Sequence, residues 1–378
     1  MSFKAKHIRY FFFVLAIILA MPLPFPELSG GLIWTSPFIL LNSVLSVKRL
    51  VFLNLPGLIT LILIFWRTRW ICRYVCPLGV VCDWSSKIRK QKTIMINLHK
   101  YLAVLSLVLA VFGAPLLIIL DPFNIFHMSF ESVRTGLNFP AILKFSMILA
   151  IVGINILLPG IWCQSICPLG GMQLLAIDLK NTFQKKTSYK KSITVNRRLF
   201  ISGLAGIAGG IALPRLTFFS HGKTIRPPSA LPDSDFNLIC ARCGNCSSVC
   251  PTHIIKQSDN TSKIGSLLTP IVDFTESYCL PECTVCGDVC PSGAITKFKE
   301  GEKNDLFMAS VKINLDDCWL NHQKDCDLCR YHCKYDAIEI KKTEENLIAF
   351  PVLYEDKCVG CAACKIVCPA GAIEILVN

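Results

Sequence analysis

The chain has 378 residues, 52% of them hydrophobic and 17% charged, with a mean hydropathy of +0.50. That is too apolar for one soluble domain, and at ~150 residues per domain the length suggests two or three units. The net charge of +13 does not point to nucleic acid, because the basic residues gather at Lys4–Arg9, Arg67–Arg73, Lys87–Lys92 and Lys180–Arg198, beside the ends of apolar stretches. Basic residues placed there read as the positive-inside signal of a membrane protein.

Five apolar segments are long enough, at ~17–25 residues, to be transmembrane helices. They are Tyr10–Phe25, Leu50–Trp66, Tyr101–Leu120, Ala141–Ile161 and Leu199–Phe219. The first ends at Pro22, Pro24 and Pro26 but has no small-residue cleavage site, so it reads as an uncleaved helix. The apolar stretch Ile33–Leu45 is short and fits an interfacial or re-entrant piece. Lys4, Lys6 and Arg9 hold the N-terminus in the cytoplasm, and Asp121–Pro140 then becomes an outer loop. Before the fifth segment stands Asn196-Arg197-Arg198-Leu199-Phe200, similar to a twin-arginine export signal. Residues 220–236 form a Pro-rich linker.

Beyond the linker the cysteines recur in four runs. They are Cys240-x2-Cys243-x2-Cys246-x3-Cys250-Pro, Cys279-x3-Cys283-x2-Cys286-x3-Cys290-Pro, Cys318-x7-Cys326-x2-Cys329-x3-Cys333 and Cys358-x2-Cys361-x2-Cys364-x3-Cys368-Pro. Disulfides in a secreted scaffold and paired structural zinc sites both use cysteines, but neither needs closely spaced triplets. A triplet places three thiolates on three iron corners of a cuboidal cluster. The fourth cysteine starts the next element and, in two-cluster ferredoxins, binds the other cluster. The expected ligand sets for four [4Fe–4S] clusters are Cys240, Cys243, Cys246 with Cys290; Cys279, Cys283, Cys286 with Cys250; Cys318, Cys326, Cys329 with Cys368; and Cys358, Cys361, Cys364 with Cys333. Each fourth cysteine opens a similar five-residue turn: Pro-Thr-His-Ile-Ile, Pro-Ser-Gly-Ala-Ile, Lys-Tyr-Asp-Ala-Ile and Pro-Ala-Gly-Ala-Ile. The third run departs by its enlarged first loop and by Lys334 in place of proline.

Two further motifs, Cys72-x3-Cys76-Pro77-Leu78-Gly79 and Cys163-x3-Cys167-Pro168-Leu169-Gly170, lie where the second and fourth apolar segments end. They read either as an additional metal site, as reactive thiols, or as helix-end structure; Cys82 reads as a buried apolar residue. Asp121, His127 and Glu131 are candidate proton acceptors for quinol oxidation. No Gly-rich dinucleotide fingerprint and no C-x-x-C-H haem site occurs.

The two Cys-x3-Cys-Pro motifs and their apolar segments resemble the NapH-type membrane ferredoxin family, related to NosR and MauN. The twin arginines and the four cysteine runs, including the enlarged third, resemble the NapG/MauM family. The expected architecture is therefore an all-α membrane domain over residues 1–195, of four helices plus a fifth tethering helix at 196–219. The linker 220–236 and an α+β duplicated bacterial-ferredoxin-like domain over 237–378 follow. The resemblance implies an integral protein of the bacterial inner (cytoplasmic) membrane with its iron–sulfur domain on the periplasmic face. It implies the quinol dehydrogenase component of a respiratory chain, fed by the membrane quinone pool and delivering to a periplasmic c-type cytochrome or reductase. A different reading makes it an accessory factor that supplies electrons or thiols for assembly of a periplasmic metalloenzyme.

Overall fold

A computed structural model describes residues 3–21, 30–66, 69–88, 98–134, 138–184, 197–215, 224–261, 264–342 and 349–377. The proline run at Pro22–Pro26, Asn196 of the twin-arginine motif and residues 216–223, the start of the linker among them, lie outside the described residues.

The N-terminal region is helical: α1 Phe3–Ala20, α2 Pro37–Val47, α3 Leu55–Trp66, α4 Pro77–Ser86, α5 Leu98–Val111, α6 Pro122–Arg134, α7 Phe139–Leu157, α8 Pro168–Gln184 and α9 Arg197–Ala212. Helix starts follow from local chemistry. The Ser36 hydroxyl accepts from the Ile39 amide, with Pro37 in the first helical position of α2. Asn138 Oδ1 accepts from the Ala141 amide at 2.9 Å to begin α7. Asp121 accepts from the amides of Phe123 and Asn124, at 3.1 and 3.2 Å, to begin α6.

The expectation of four spanning helices plus a fifth tether is overturned. Among the described residues one helix, Phe139–Leu157, is long and apolar enough to cross a membrane. The reasons are local. At 1.5 Å per residue, the 12 residues of α3 and the 14 of α5 fall well short of a hydrocarbon layer ~30 Å thick. Gly113 and Pro115 stop α5 at Val111, so Tyr101–Leu120 is a helix and a separate 3-10 turn, Leu116–Leu120. The basic residues Lys4, Lys6 and Arg9 lie inside α1, and Arg197 and Arg198 inside the 16-residue α9. Helix α9 instead packs along α5, and two glycines permit the approach. A Cβ at Gly206 would lie 2.8 Å from Val108 Cγ1, and one at Gly210 would lie 2.5 Å from Phe112 Cβ. The stretch Ile33–Leu45 is a helical turn followed by most of α2, with Ile33, Phe38 and Ile39 fully buried.

The C-terminal region is α+β and ferredoxin-like. It has short helices α10 Asp233–Ile239, α11 Asn245–Val249, α12 Val285–Asp288, α13 Leu328–Tyr331 and α14 Ala363–Val367. Its strands are β1 Ile255–Gln257, β2 Pro270–Val272, β3 Ser310–Ile313, β4 Ile338–Lys342, β5 Ala349–Leu353 and β6 Ile373–Leu376. They form antiparallel pairs β1–β2, β4–β5 and the long-range β3–β6, in which Ile313 faces Ile373. The duplication is visible in the backbone. The third residue after each fourth cysteine takes a left-handed conformation: His253 at φ 54°, Gly293 at 73°, Asp336 at 49° and Gly371 at 66°. Glycine and aspartate suit that conformation. Two residues later the chain reaches Ile255, Ile295, Ile338 and Ile373, which begin β1, a bridge to Ala230, β4 and β6 respectively.

Candidate functional site: four cysteine sets and their junction with the helices

The first and second cysteines of each run stand in a loop and the third in a short helix; the fourth follows that helix in extended backbone. This throws the fourth cysteine toward the partner run. Cys290 is a close electrostatic neighbour of Cys240, Cys243 and Cys246. Cys250 stands in the same relation to Cys279 and Cys286, and it lines one small cavity with Cys279, Cys283 and Cys286. A second small cavity is lined by Cys318, Cys326, Cys329 and Cys368. A third is lined by Cys333, Cys358, Cys361 and Cys364. In this geometry each cavity takes three cysteines from one run and one from another. The enlarged loop of the third run still delivers Cys318 to its cavity.

These residues fit a polynuclear cluster better than a lone ion. Among the described residues no three His, Cys, Asp or Glu side chains close on a point that a single metal ion could occupy. The sulfurs instead stand around apolar cavities. Burial and neighbouring thiols push Cys364 up to about 12 and Cys361 up to about 11, and burial pushes Cys243 and Cys246 well above the ordinary thiol range. Such thiols are poor anions alone and become good ligands when iron stands among them. Backbone amides point at the sulfurs as well: Ile295 N–H donates to Cys290 Sγ at 3.4 Å and Ala337 N–H to Cys333 Sγ at 3.3 Å.

The four sets fall into a row. Cys286 lies near Cys246, linking the first set to the second. Cys279 donates its amide proton to the Cys361 carbonyl at 3.0 Å, linking the second to the fourth, and Tyr335 sits beside Cys279, Cys333 and Cys361. Cys329 neighbours Cys364, which places the third set at the far end. Buried cations surround the inner end. The guanidiniums of Arg226 and Arg242 act on Cys240, and Lys144 on Cys243. Lys303, fully buried, donates to the carbonyls of Leu280 and Cys283 and acts on Cys279 and Cys286.

The first set is built against the helical region. Ile33, Ile39 and Ile118 share one buried cluster with Ala241 and Cys243. Asn124 Nδ2 donates to the Ala241 carbonyl at 2.9 Å, and Asn54 Nδ2 to the Pro291 carbonyl at 2.8 Å. Asp121, His127 and Glu131, expected in a solvated outer loop, are instead 0%, 2% and 4% exposed on or beside α6. Asp121 accepts from Ser36 at 2.9 Å, and burial lifts its carboxyl to about 7. His127 lies beside Asn245, and burial lowers it to about 4. Glu131 pairs with the buried Lys144 and accepts from Ser248 Oγ at 3.2 Å. Its carboxylate packs on Gly244, where a Cβ would stand 2.7 Å from Glu131 Oε2. Gly244 has φ 88°, so both backbone and space demand glycine. The sequence concealed Lys144 inside an apolar segment; a lone lysine there is the signal that could have found it.

The Cys-x3-Cys-Pro motifs are also brought together. Cys72 and Cys163 lie in matching π-helical turns, Ile71–Val75 and Trp162–Ile166, and Cys76 and Cys167 close them through amide bonds to the carbonyls of Ile71 and Trp162, each 2.8 Å. Each closing cysteine then caps a helix that starts with proline. Gln173 Nε2 donates to Cys72 Sγ at 3.0 Å. Cys163 neighbours Cys72, Cys76, Cys82 and Cys167, so Cys82, read as a plain core residue, belongs to this group.

Comparison with known proteins matches this geometry. A 4Fe-4S dicluster domain family covers residues 239–294, and a 4Fe-4S binding domain family covers 351–374. A second 4Fe-4S binding domain family matches 49–94 and 140–186, the stretches that carry the two Cys-x3-Cys-Pro motifs. The ferredoxin-type protein NapG of Escherichia coli (strain K12) is 31% identical over 188 residues, covering 46% of this chain and 80% of NapG. The methylamine utilization ferredoxin-type protein MauM of Methylorubrum extorquens is 31% identical over 166 residues, covering 42% of this chain and 74% of MauM. The chain belongs to the NapG/MauM family of ferredoxin-type proteins. It is thus an iron–sulfur electron-transfer protein. Ferredoxin-type protein NapF of Haemophilus influenzae is 33% identical over 152 residues, covering 40% of this chain and 78% of NapF. No solved structure matches.

Proposed function

We propose that this NapG/MauM-family protein takes electrons from a membrane quinol and passes them through four [4Fe–4S] clusters to a periplasmic c-type cytochrome or reductase. The single observation that carries the reading is the row of four-cysteine sets, buried against the helices at one end and exposed at the other. Clusters held there would each accept and release one electron. The chain's own residues do the rest. Cys240, Cys243, Cys246 and Cys290 would ligate the first cluster. Cys279, Cys283, Cys286 and Cys250 would ligate the second, Cys358, Cys361, Cys364 and Cys333 the next in the row, and Cys318, Cys326, Cys329 and Cys368 the last. Arg242, Arg226 and Lys303 offset the negative charge that reduction adds. Trp319, Leu328 and Tyr331, 37%, 38% and 74% exposed, frame the outer end where a partner would dock.

Attachment to the inner membrane is supported by the apolar helix Phe139–Leu157 and by exposed side chains such as Ile59, Trp66, Leu149 and Ile201. Export of the cluster region to the periplasm is supported by Arg197-Arg198 at the start of α9, before its apolar run. The test is iron and sulfide analysis with electron paramagnetic resonance on the anaerobically purified chain, followed by reduction with a short-tail hydroquinone. Iron and sulfide matching four cubanes, with signals that appear on adding the hydroquinone, are expected. Intact clusters that dithionite reduces and hydroquinone does not would overturn the quinol donor. Iron beyond four cubanes, lost in Cys72→Ser, would assign the Cys-x3-Cys-Pro group as a further site.

A further inference from the structure

A cavity of about 430 Å³ with mixed polar and apolar walls opens where α6 ends and α7 begins, roofed by Glu131, Asn138 and Pro140 and floored by Ser247, Ser248 and Gln257. Ser247 and Ser248 lie between Cys246 and Cys250, so the floor is the first cysteine run itself. Gln257 Nε2 is buried with no protein hydrogen-bond partner, and a Cβ at Gly244 would come within 2.8 Å of it. The Glu131 carboxylate in the wall is held by Lys144 and by Ser248. A second hollow, about 370 Å³ and almost wholly apolar, lies along the same two helices, lined by Val133, Ala141, Ile142, Phe145 and Leu149. The lining divides between neighbouring residues: Glu131 and Pro140 face the polar cavity, Ser132 and Ala141 the apolar groove. The groove runs along the one described helix apolar enough to cross a membrane.

A chamber with polar walls on a cysteine run, and beside it an apolar groove on a lipid-compatible helix, together suit a ligand with a polar ring and a hydrocarbon tail. We propose that this double cavity is the binding site for a hydroquinone, its ring in the polar chamber beside Glu131 and its tail in the groove of α7. The site rests on the quinol reading above and gives it a place. Oxidation breaks the two O–H bonds of the hydroquinone and forms two C=O bonds, releasing two electrons and two protons. A cluster held by Cys240, Cys243, Cys246 and Cys290, on the far side of Gly244 and Ser248, would be the oxidant and would take the electrons one at a time. One proton goes to the Glu131 carboxylate, and the other leaves through the polar mouth, where Lys256 and Asp259 stand. Lys144 and Ser248 are positioning residues: they hold the carboxylate in the wall.

The experiment is photo-crosslinking of the full cluster-loaded chain, in nanodiscs, with an azidoquinone carrying a ten-carbon tail, read by peptide mass spectrometry. Labelling is expected within residues 128–149. Ile142→Trp, which fills the groove, should cut labelling about tenfold or more while dithionite-reduced cluster spectra stay unchanged. Val133→Trp, on the facing wall, serves if the first variant does not fold. Glu131→Gln should keep labelling and slow cluster reduction by decyl hydroquinone about tenfold or more. Labelling mapped to another segment, with reduction by hydroquinone intact, overturns this site and leaves the quinol reading standing. Labelling of the groove that excess phospholipid removes and excess quinone does not makes it a lipid-binding groove, and the site falls. Neither labelling nor hydroquinone reduction, with intact clusters, overturns both.

Discussion

The two halves of the cysteine region obey one repeat and live in different surroundings. In the inner half Cys240, Cys243, Cys246, Cys250, Cys279 and Cys286 are buried, and only Cys283 and Cys290 are partly exposed. In the outer half only Cys364 is buried, and Cys318, Cys326, Cys329, Cys333, Cys358, Cys361 and Cys368 are partly exposed. The inner half carries the buried cations Arg226, Arg242, Lys144 and Lys303, and the helices cover it. In the function proposed above, the same cysteine spacing would serve entry at one end and exit at the other. What differs is solvent and charge, the levers that set cluster potentials.

Breaking one cysteine in each half tests the difference most strongly. Cys290→Ser should remove about a quarter of the iron, and the loss should be from the cluster of Cys240, Cys243 and Cys246. Because that set sits in a core shared with α2, the variant should also lose thermal stability. Cys318→Ser should lose a similar amount of iron with little effect on melting, since its cavity lies at the exposed end. Iron analysis with melting followed by circular dichroism decides; equal melting losses for the two variants would erase the contrast.

Lys303 gives the next largest effect. Its ammonium is buried and donates to two carbonyls of the second cysteine run. Lys303→Met should lower the potential of the cluster near Cys279 by on the order of 50–100 mV, from loss of one nearby unit charge at an effective dielectric of ~20. It should also destabilise the fold by roughly 2–3 kcal/mol through the unpaired Leu280 and Cys283 carbonyls. A redox titration showing all potentials unmoved would mean that the inner cations are structural only.

Much of the outer half was legible from spacing, because the motif is local: three cysteines in one short stretch, and a turn in which Gly371 or Asp336 takes a left-handed conformation. The swap of the fourth cysteine was an expectation taken from two-cluster ferredoxins, and the placing of Cys250, Cys333 and Cys368 beside the partner run is compatible with it. The inner half was less legible. That α6 would cover the first run depends on long-range contacts, Asn124 to Ala241 and Glu131 to Gly244, which no local pattern announces. The apolar segments misled for a related reason. Hydropathy reads Tyr101–Leu120 as continuous, but Gly113 and Pro115 cut it, and α9 spends its glycines on packing against α5. The π-turns at Cys72 and Cys163 have no sequence signal beyond the cysteine and proline that follow them.

A smaller effect isolates the seam between helices and clusters. Asn124→Ala removes the 2.9 Å bond to the Ala241 carbonyl and leaves that carbonyl buried. It should cost roughly 1–3 kcal/mol and loosen the first run, seen as faster hydrogen exchange at residues 240–246. Unchanged exchange there would show that the apolar contacts of Ile33, Ile39 and Ile118 hold the seam without it.

The smallest effect is a pH profile, and its sign follows from the two buried groups at the same seam. Burial lowers His127 from 6.5 to about 4, so between those values the unfolded chain binds the proton that the folded chain refuses. Stability from this group is full above pH 6.5 and is lost as pH falls toward 4. Burial raises Asp121 from 3.8 to about 7, so the folded chain keeps a proton that the unfolded chain releases. This group makes stability fall as pH rises from 3.8 to 7. The two oppose each other over most of their range. Asp121→Asn keeps an acceptor for Ser36 and for the start of α6 but removes the second slope. Its melting temperature should therefore climb between pH 5 and 6.5 and level off above, while the parent chain stays comparatively flat and then declines toward pH 7. Parallel profiles for the two proteins would mean that the covered end of the row gains nothing from a neutral carboxyl, and that its burial rests on packing and the Asn124 bond alone.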